Sequence, residues 1–166
     1  MASVFVLLEA FNRKEAAALG FFPCATASFL SKQEMSAASE SYVTSAPPEA
    51  IVRDLAAGPH KLYGIGPALV WEYLRNVGID GVKPDIHVCR FLGANRMGEF
   101  EQEQAGVSEA VAIVRKMSEQ LHLPMVEIDS ILWSYCASHY GEICTATPHC
   151  DACVVRKFCT RKEVYG

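Results

Sequence analysis

Residues 62–74 read LYGIGPALVWEYL, and this stretch decides the fold. Gly64 and Gly66, one residue apart, permit a tight turn and leave the backbone bare. Pro67 suits the first turn of a helix, where its missing N–H costs nothing, and the helix it opens runs to Val77 and stops at Gly78. Upstream, Ser45-Ala46-Pro47-Pro48 opens another helix that ends at Gly58. Ile51, Leu55 and Leu62 recur at helical spacing on its expected buried side. The pattern is helix, hairpin, helix. In such a turn the N–H groups of Gly64, Gly66 and the following first turn face outward, an anion site suited to one phosphate of DNA, while Ile65 tucks into the core. The plain alternative is a tight helix–helix connection with no ligand. A dinucleotide-binding turn fits poorly, because no strand precedes it and no third glycine follows at the required place.

Working outward, KPDIHVCRFL at 83–92 predicts a short helix over 85–93, opened by Pro84-Asp85. Residues 2–19, closed by Gly20, and residues 27–42 predict helices before the hairpin; 106–121 and 125–140, separated by Pro124, predict two after it. ANRMGEFEQEQA at 94–105 reads as an exposed connection with an acidic face. No segment reads as a strand and none repeats. The expected class is all-α, with a helical domain over 1–140 and a cysteine-bearing loop and basic tail over 141–166.

That loop, CTATPHCDACVVRKFC, spaces Cys144, Cys150, Cys153 and Cys159 as C-x5-C-x2-C-x5-C. Four thiols returned to one place suit a [4Fe–4S] cluster, each thiolate taking one corner iron. Zinc is the alternative, although structural zinc sites more often use two close cysteine pairs. Cys24, Cys89 and Cys136 have apolar neighbours and read as small buried hydrophobes. Val4-Phe5-Val6-Leu7-Leu8 has no basic residue before it and stops at Glu9, so it reads neither as a secretory leader nor as a membrane span. Clustered cysteines without such a leader point to a metal site in a cytoplasmic or nucleoid protein.

The chain has 166 residues, half of them hydrophobic, and carries a net charge of −4. The charge is uneven. Residues 60–96 are net +2 and 131–166 net +1, whereas 1–59 are net −2 and 97–130 net −5. A DNA-binding protein needs a basic face, not a basic total. The small excess argues against tight non-specific binding.

The order LYGIGP, then PDIHVCR about twenty residues later, then the four-cysteine loop resembles the helix-hairpin-helix DNA glycosylases, in the branch of endonuclease III and the adenine glycosylase MutY. The resemblance covers roughly residues 48–160. It implies an all-helical fold with a DNA cleft, and excision of a damaged or mispaired base flipped out of double-stranded DNA. Asp85 matches the family's catalytic aspartate, whose carboxylate stabilises an oxocarbenium-like sugar or orients the attacking water. Its plain alternative is a helix cap beside Pro84. His87 reads as a packed structural residue, and Arg90 as a contact to the carboxylate's surroundings or a phosphate, or a member of a surface pair. Arg156, Lys157, Arg161 and Lys162 read as a basic patch on the DNA backbone, or as a solvated face.

Three positions depart from the pattern. Ala68 stands where lyase members carry a lysine, so the expected glycosylase is monofunctional, with no Schiff-base amine. The first cysteine gap, Thr145 to His149, has no Lys or Arg, and His149 reads as a surface residue. Residues 1–45 do not align with the longer helical front of the family, which implies an abbreviated front or a partner chain that completes it. The alternative function is a catalytically inactive DNA-binding or cluster-dependent regulatory module of the same fold.

Overall fold

The computed structural model describes residues 41–98 and 102–161. The helices expected over 2–19 and 27–42 fall outside these residues, apart from 41–42, and so do Gly20, Cys24 and Lys162. The described residues are helices and turns with no strand among them. None of their helices is long and apolar enough to cross a membrane.

Five helices carry the fold of the described residues. α1 (Pro48–Ala57) starts where consecutive prolines fix the backbone, and ends where Gly58 N–H donates to Asp54 O. It buries Ile51, Val52 and Leu55. Leu62 does not join them. It lies beyond the helix, 47% exposed, because the chain has already turned away where Leu62 N–H donates to Leu55 O. Residues 41–43 are helical and clip onto α1, with Tyr42 Oη donating to Asp54 at 2.5 Å and His60 Nδ1 lying 2.8 Å from the same carboxylate.

α2 (Pro67–Asn76) buries Val70, Trp71 and Leu74 against α1. Trp71 fits because the chain passes it as Gly81, where a Cβ would lie 2.7 Å from the indole. α3 (Ile86–Phe91) is shorter than expected and buries Val88, Cys89 and Phe91. α4 (Val107–Leu121) turns Ala110, Val111, Val114 and Met117 inward and ends at His122 in the left-handed region. α5 (Met125–Cys136) packs on α3 and α4. It has no side-chain cap of its own. Asp80 instead accepts Met125 N–H at 3.1 Å and Val126 N–H at 3.0 Å from across the fold.

Two further expectations are corrected. α5 ends at Cys136, not at 140, because Ala137 is extended and the returning chain uses the last carbonyls: Gly141 N–H donates to Ser134 O, and Ile143 and Cys144 N–H to Tyr135 O. The segment 94–105 is not an exposed connection throughout. Arg96, Met97 and Ala105 are buried, because Gly93 O accepts from Arg96 and Gly98, Phe91 O from Met97, and Cys89 O from Ala105. Gln102, Glu103 and Gln104 are exposed as expected.

Leu74, Val88, Val114, Ile128 and Leu132 have no exposed surface. Burial of each such side chain contributes about 1.5–3 kcal/mol, more than any exposed ion pair supplies. The pairs do fix orientation. Glu49 of α1 bonds Arg115 of α4, and Lys83 Nζ lies 2.9 Å from Glu72 of α2.

Candidate functional site

The hairpin takes the form its glycines allow. Gly64 has φ +74°, a conformation that disfavours a side chain, and Gly66 is extended ahead of Pro67. A Cβ at either glycine would meet nothing within 4 Å, so both face open space. Neither glycine N–H finds an acceptor among the described residues. Ile65 is half-buried and packs against the core, while Tyr63 at the tip is fully exposed.

Asp85 is the N-cap of α3. Its Oδ1 accepts His87 N–H at 2.9 Å and Val88 N–H at 3.2 Å. The carboxylate is half-buried and both of these bonds fall on one oxygen. Beneath it lies Asp129 of α5, 3% exposed, with Arg75 of α2 at 2.5 Å and Lys83 N–H donating at 3.2 Å. Burial pushes the Asp129 carboxyl up to about 7; Arg75 opposes the shift and the charge of Asp85 adds to it. His87 stacks edge-on against Trp133, ring centroids 6.2 Å apart, and its Nδ1 is buried with no hydrogen-bond partner. Cys89 is a buried hydrophobe as expected; its thiol donates to Pro84 O at 3.5 Å, and burial and Asp85 push it up to about 11.

All four loop cysteines line one small cavity of about 20 Å³, together with Ile143, Pro148, Arg96, Arg156 and Arg161. Cys144 is buried and the other three are half-buried. Short 3₁₀ turns at Cys150–Ala152 and Arg156–Phe158 aim them. Tyr135 Oη donates to Cys153 Sγ at 3.1 Å. The thiol of Cys136, the buried end of α5, lies against that of Cys144, with Arg96 near by. Their interaction holds the Cys144 thiol below the usual range, helped by the charge of Arg96, and raises Cys136 correspondingly. Among the described residues, no three His, Cys, Asp or Glu side chains are grouped to grip a single metal ion. The thiols ring a space; they do not meet at a point.

The other basic residues divide. Arg90, at the last turn of α3, lines a larger cleft with Arg96 and Arg161. Arg156 pairs with Asp151 at 2.9 Å, and Lys157 sits 4.9 Å over the ring of Phe158. His149 is exposed. Sequence reasoning missed Arg96, Asp129 and Tyr135. Arg96 carried one usable signal, its place between Gly93 and Gly98, two glycines where any Cβ would strike backbone atoms within about 2 Å. The other two had none, because their partners Arg75 and Cys153 are remote in sequence.

No curated protein and no solved structure matches the chain. A family model does match, over residues 50–137, from the start of α1 to just past the end of α5. That span holds the hairpin, Asp85, Arg96 and Asp129, and stops short of the cysteine loop. It covers more than half of the sequence, so the chain belongs to the family described as "Domain of unknown function (DUF8548)".

Proposed function

We propose that the protein is a monofunctional DNA N-glycosylase, with the hairpin on a DNA phosphate, Asp85 at the sugar, and a [4Fe–4S] cluster held by Cys144, Cys150, Cys153 and Cys159. The observation that carries this reading is the gathering of four thiols on one cavity, in the loop that follows α5. The donor set suits a cluster. Four thiolates and a cube carry net negative charge, and Arg96, Arg156 and Arg161 stand in the same lining. The cavity now has room for about one water-sized sphere, so the loop has to open outward to admit a cube. When bound, the cluster would supply iron–thiolate bonds that tie the turns of the 144–159 loop to one another.

The rest falls to the chain's own residues. Glycine N–H groups at 64 and 66, without acceptors, favour a phosphate oxygen. Two N–H groups of the first turn of α3 hold Asp85 Oδ1 in place. A carboxylate so held stabilises developing positive charge on the sugar and orients water. No amine stands at Ala68 to trap the sugar, so an abasic site is the product.

The test is base release from duplexes carrying uracil, alkylated, oxidised or mismatched bases, with alkali to cut the abasic product. Alkali-dependent cleavage of one substrate by wild type, absent from Asp85→Asn, bears the reading out; excision by the variant at the wild-type rate sinks it. A DNA-holding module without chemistry is the second reading, favoured by the structural duty of Asp85 as a cap.

A further inference from the structure

Cys136 has no part in the proposed function, yet it is 1% exposed at the last position of α5 and stands eight residues before Cys144. The returning chain brings the two together. Ala137 leaves the helix in an extended conformation, Gly141 N–H donates to Ser134 O, and Ile143 and Cys144 N–H both donate to Tyr135 O, at 3.0 and 3.2 Å. The backbone of Cys144 is therefore bonded to the residue beside Cys136, and the two thiols lie against each other. A disulfide needs Cα atoms within about 7 Å and side chains that converge. Thiols in contact, on backbones pinned this closely, suit that bond.

The pair is asymmetric. Cys144, 8% exposed, lines the cavity of about 20 Å³, whereas Cys136 lies outside that lining. An oxidant in the cavity meets Cys144 first, with Cys136 behind it. Room for about one water-sized sphere favours a two-oxygen molecule over a bulky disulfide. Cys89 and Cys153 are engaged elsewhere: the Cys89 thiol donates to Pro84 O at 3.5 Å, and Cys153 Sγ accepts from Tyr135 Oη at 3.1 Å.

We infer that Cys144 and Cys136 are an oxidisable pair, which a small hydroperoxide entering this cavity converts to a disulfide. Cys144 sulfur attacks one peroxide oxygen: an S–O bond forms, the O–O bond breaks, and the departing hydroxide takes the Cys144 thiol proton as water. Cys136 sulfur then attacks Cys144 sulfur: the S–S bond forms, the S–O bond breaks, and the hydroxyl leaves with the Cys136 proton as a second water. Two thiols lose two electrons and one peroxide gains them. The disulfide depends neither on base excision nor on a cluster. Its consequence rests on the cluster reading: it takes one of the four thiols out of the ligand set until a reductant returns it.

The test uses the full chain, reduced and metal-free, with one equivalent of hydrogen peroxide and then iodoacetamide. Cleavage after Glu142 parts Cys136 from Cys144, so their disulfide shows in mass spectrometry as two joined peptides that dithiothreitol separates, and fragmentation names the joined thiols. The Cys136–Cys144 link should form in wild type and in Cys89→Ala and be absent from Cys144→Ser. Glutathione disulfide should form it at least about tenfold more slowly than peroxide. Wild type in which Cys144 stays a thiol, ends as a sulfinic acid or joins another cysteine overturns the inference, as does equal speed with the two oxidants; that map needs no variant to fold. Iron and sulfide are then offered to the oxidised and the reduced chain. Uptake by the reduced chain alone supports the pair and its consequence. A mapped disulfide with equal uptake by both leaves the pair standing and removes Cys144 from the cluster.

Discussion

The guanidinium of Arg75 lies 2.5 Å from the buried carboxylate of Asp129, which joins the hairpin helix to the helix that runs into the cysteine loop. Even so, burial dominates, and the carboxyl titrates near 7 instead of its ordinary 3.8. The folded chain therefore keeps a proton that the unfolded chain has released. This contribution to stability is full below about pH 4 and is lost as pH rises to about 7. Wild type should lose on the order of a few kcal/mol relative to Asp129→Asn across that window. Urea unfolding of both proteins from pH 4 to 8 measures it, and a difference that stays constant with pH would contradict the assignment.

Capping and chemistry at Asp85 are separable. Asparagine caps a helix about as well as aspartate, whereas alanine loses roughly 1 kcal/mol. Asp85→Ala should therefore lower the unfolding midpoint, and Asp85→Asn should not. Both should abolish base release while duplex affinity stays within about twofold. Base release that follows stability, lost in the alanine variant and kept in the asparagine variant, would mean that the residue only caps.

The two hairpin glycines serve different ends. Gly64→Ala should cost about 1–2 kcal/mol from backbone strain alone, because its added methyl meets no neighbour. Gly66 is extended and open, so Gly66→Ala should change stability by less than about 0.5 kcal/mol. Its methyl would still stand over the N–H groups offered to phosphate. Duplex affinity should fall several-fold, and unaltered affinity would remove the hairpin from the DNA contact.

Protein purified without oxygen should be brown, with iron and acid-labile sulfide. Cys150→Ser and Cys159→Ser should remove the visible absorbance, whereas Cys89→Ala should keep it. Tyr135→Phe should also keep it but shift the midpoint potential negative, because the variant lacks the hydrogen bond that Tyr135 makes to the sulfur of Cys153. Colourless wild type with stoichiometric zinc would replace the cluster by zinc.

The helices around the hairpin were legible because local rules set them. Pro48, Gly58 and Pro67 mark α1 and α2 at or within a residue of their ends, and no distant contact overrides them. α5 was misjudged at its end because Ser134 and Tyr135 carbonyls are taken by a returning chain, a competition that no local pattern records. Arg96 was misplaced for a related reason. A charged residue in a polar stretch reads as exposed, and only the tertiary turn between Gly93 and Gly98, fastened by Thr160, pulls it inside. Of the candidate site, the residue types were legible in Asp85 and the four cysteines. Their supporting groups, Asp129 and Tyr135, were not, because each acts on a partner from another element.

Asp80 caps α5 from 45 and 46 positions away in the chain. A helix whose first turn depends on so remote a carboxylate gains little stability before that carboxylate arrives. The far end of α5, with Tyr135 and the cysteine loop, thus depends on a contact supplied by the loop after α2. A chain that fails to bring Asp80 to the start of α5 therefore leaves the cysteine loop hanging from an unsecured helix.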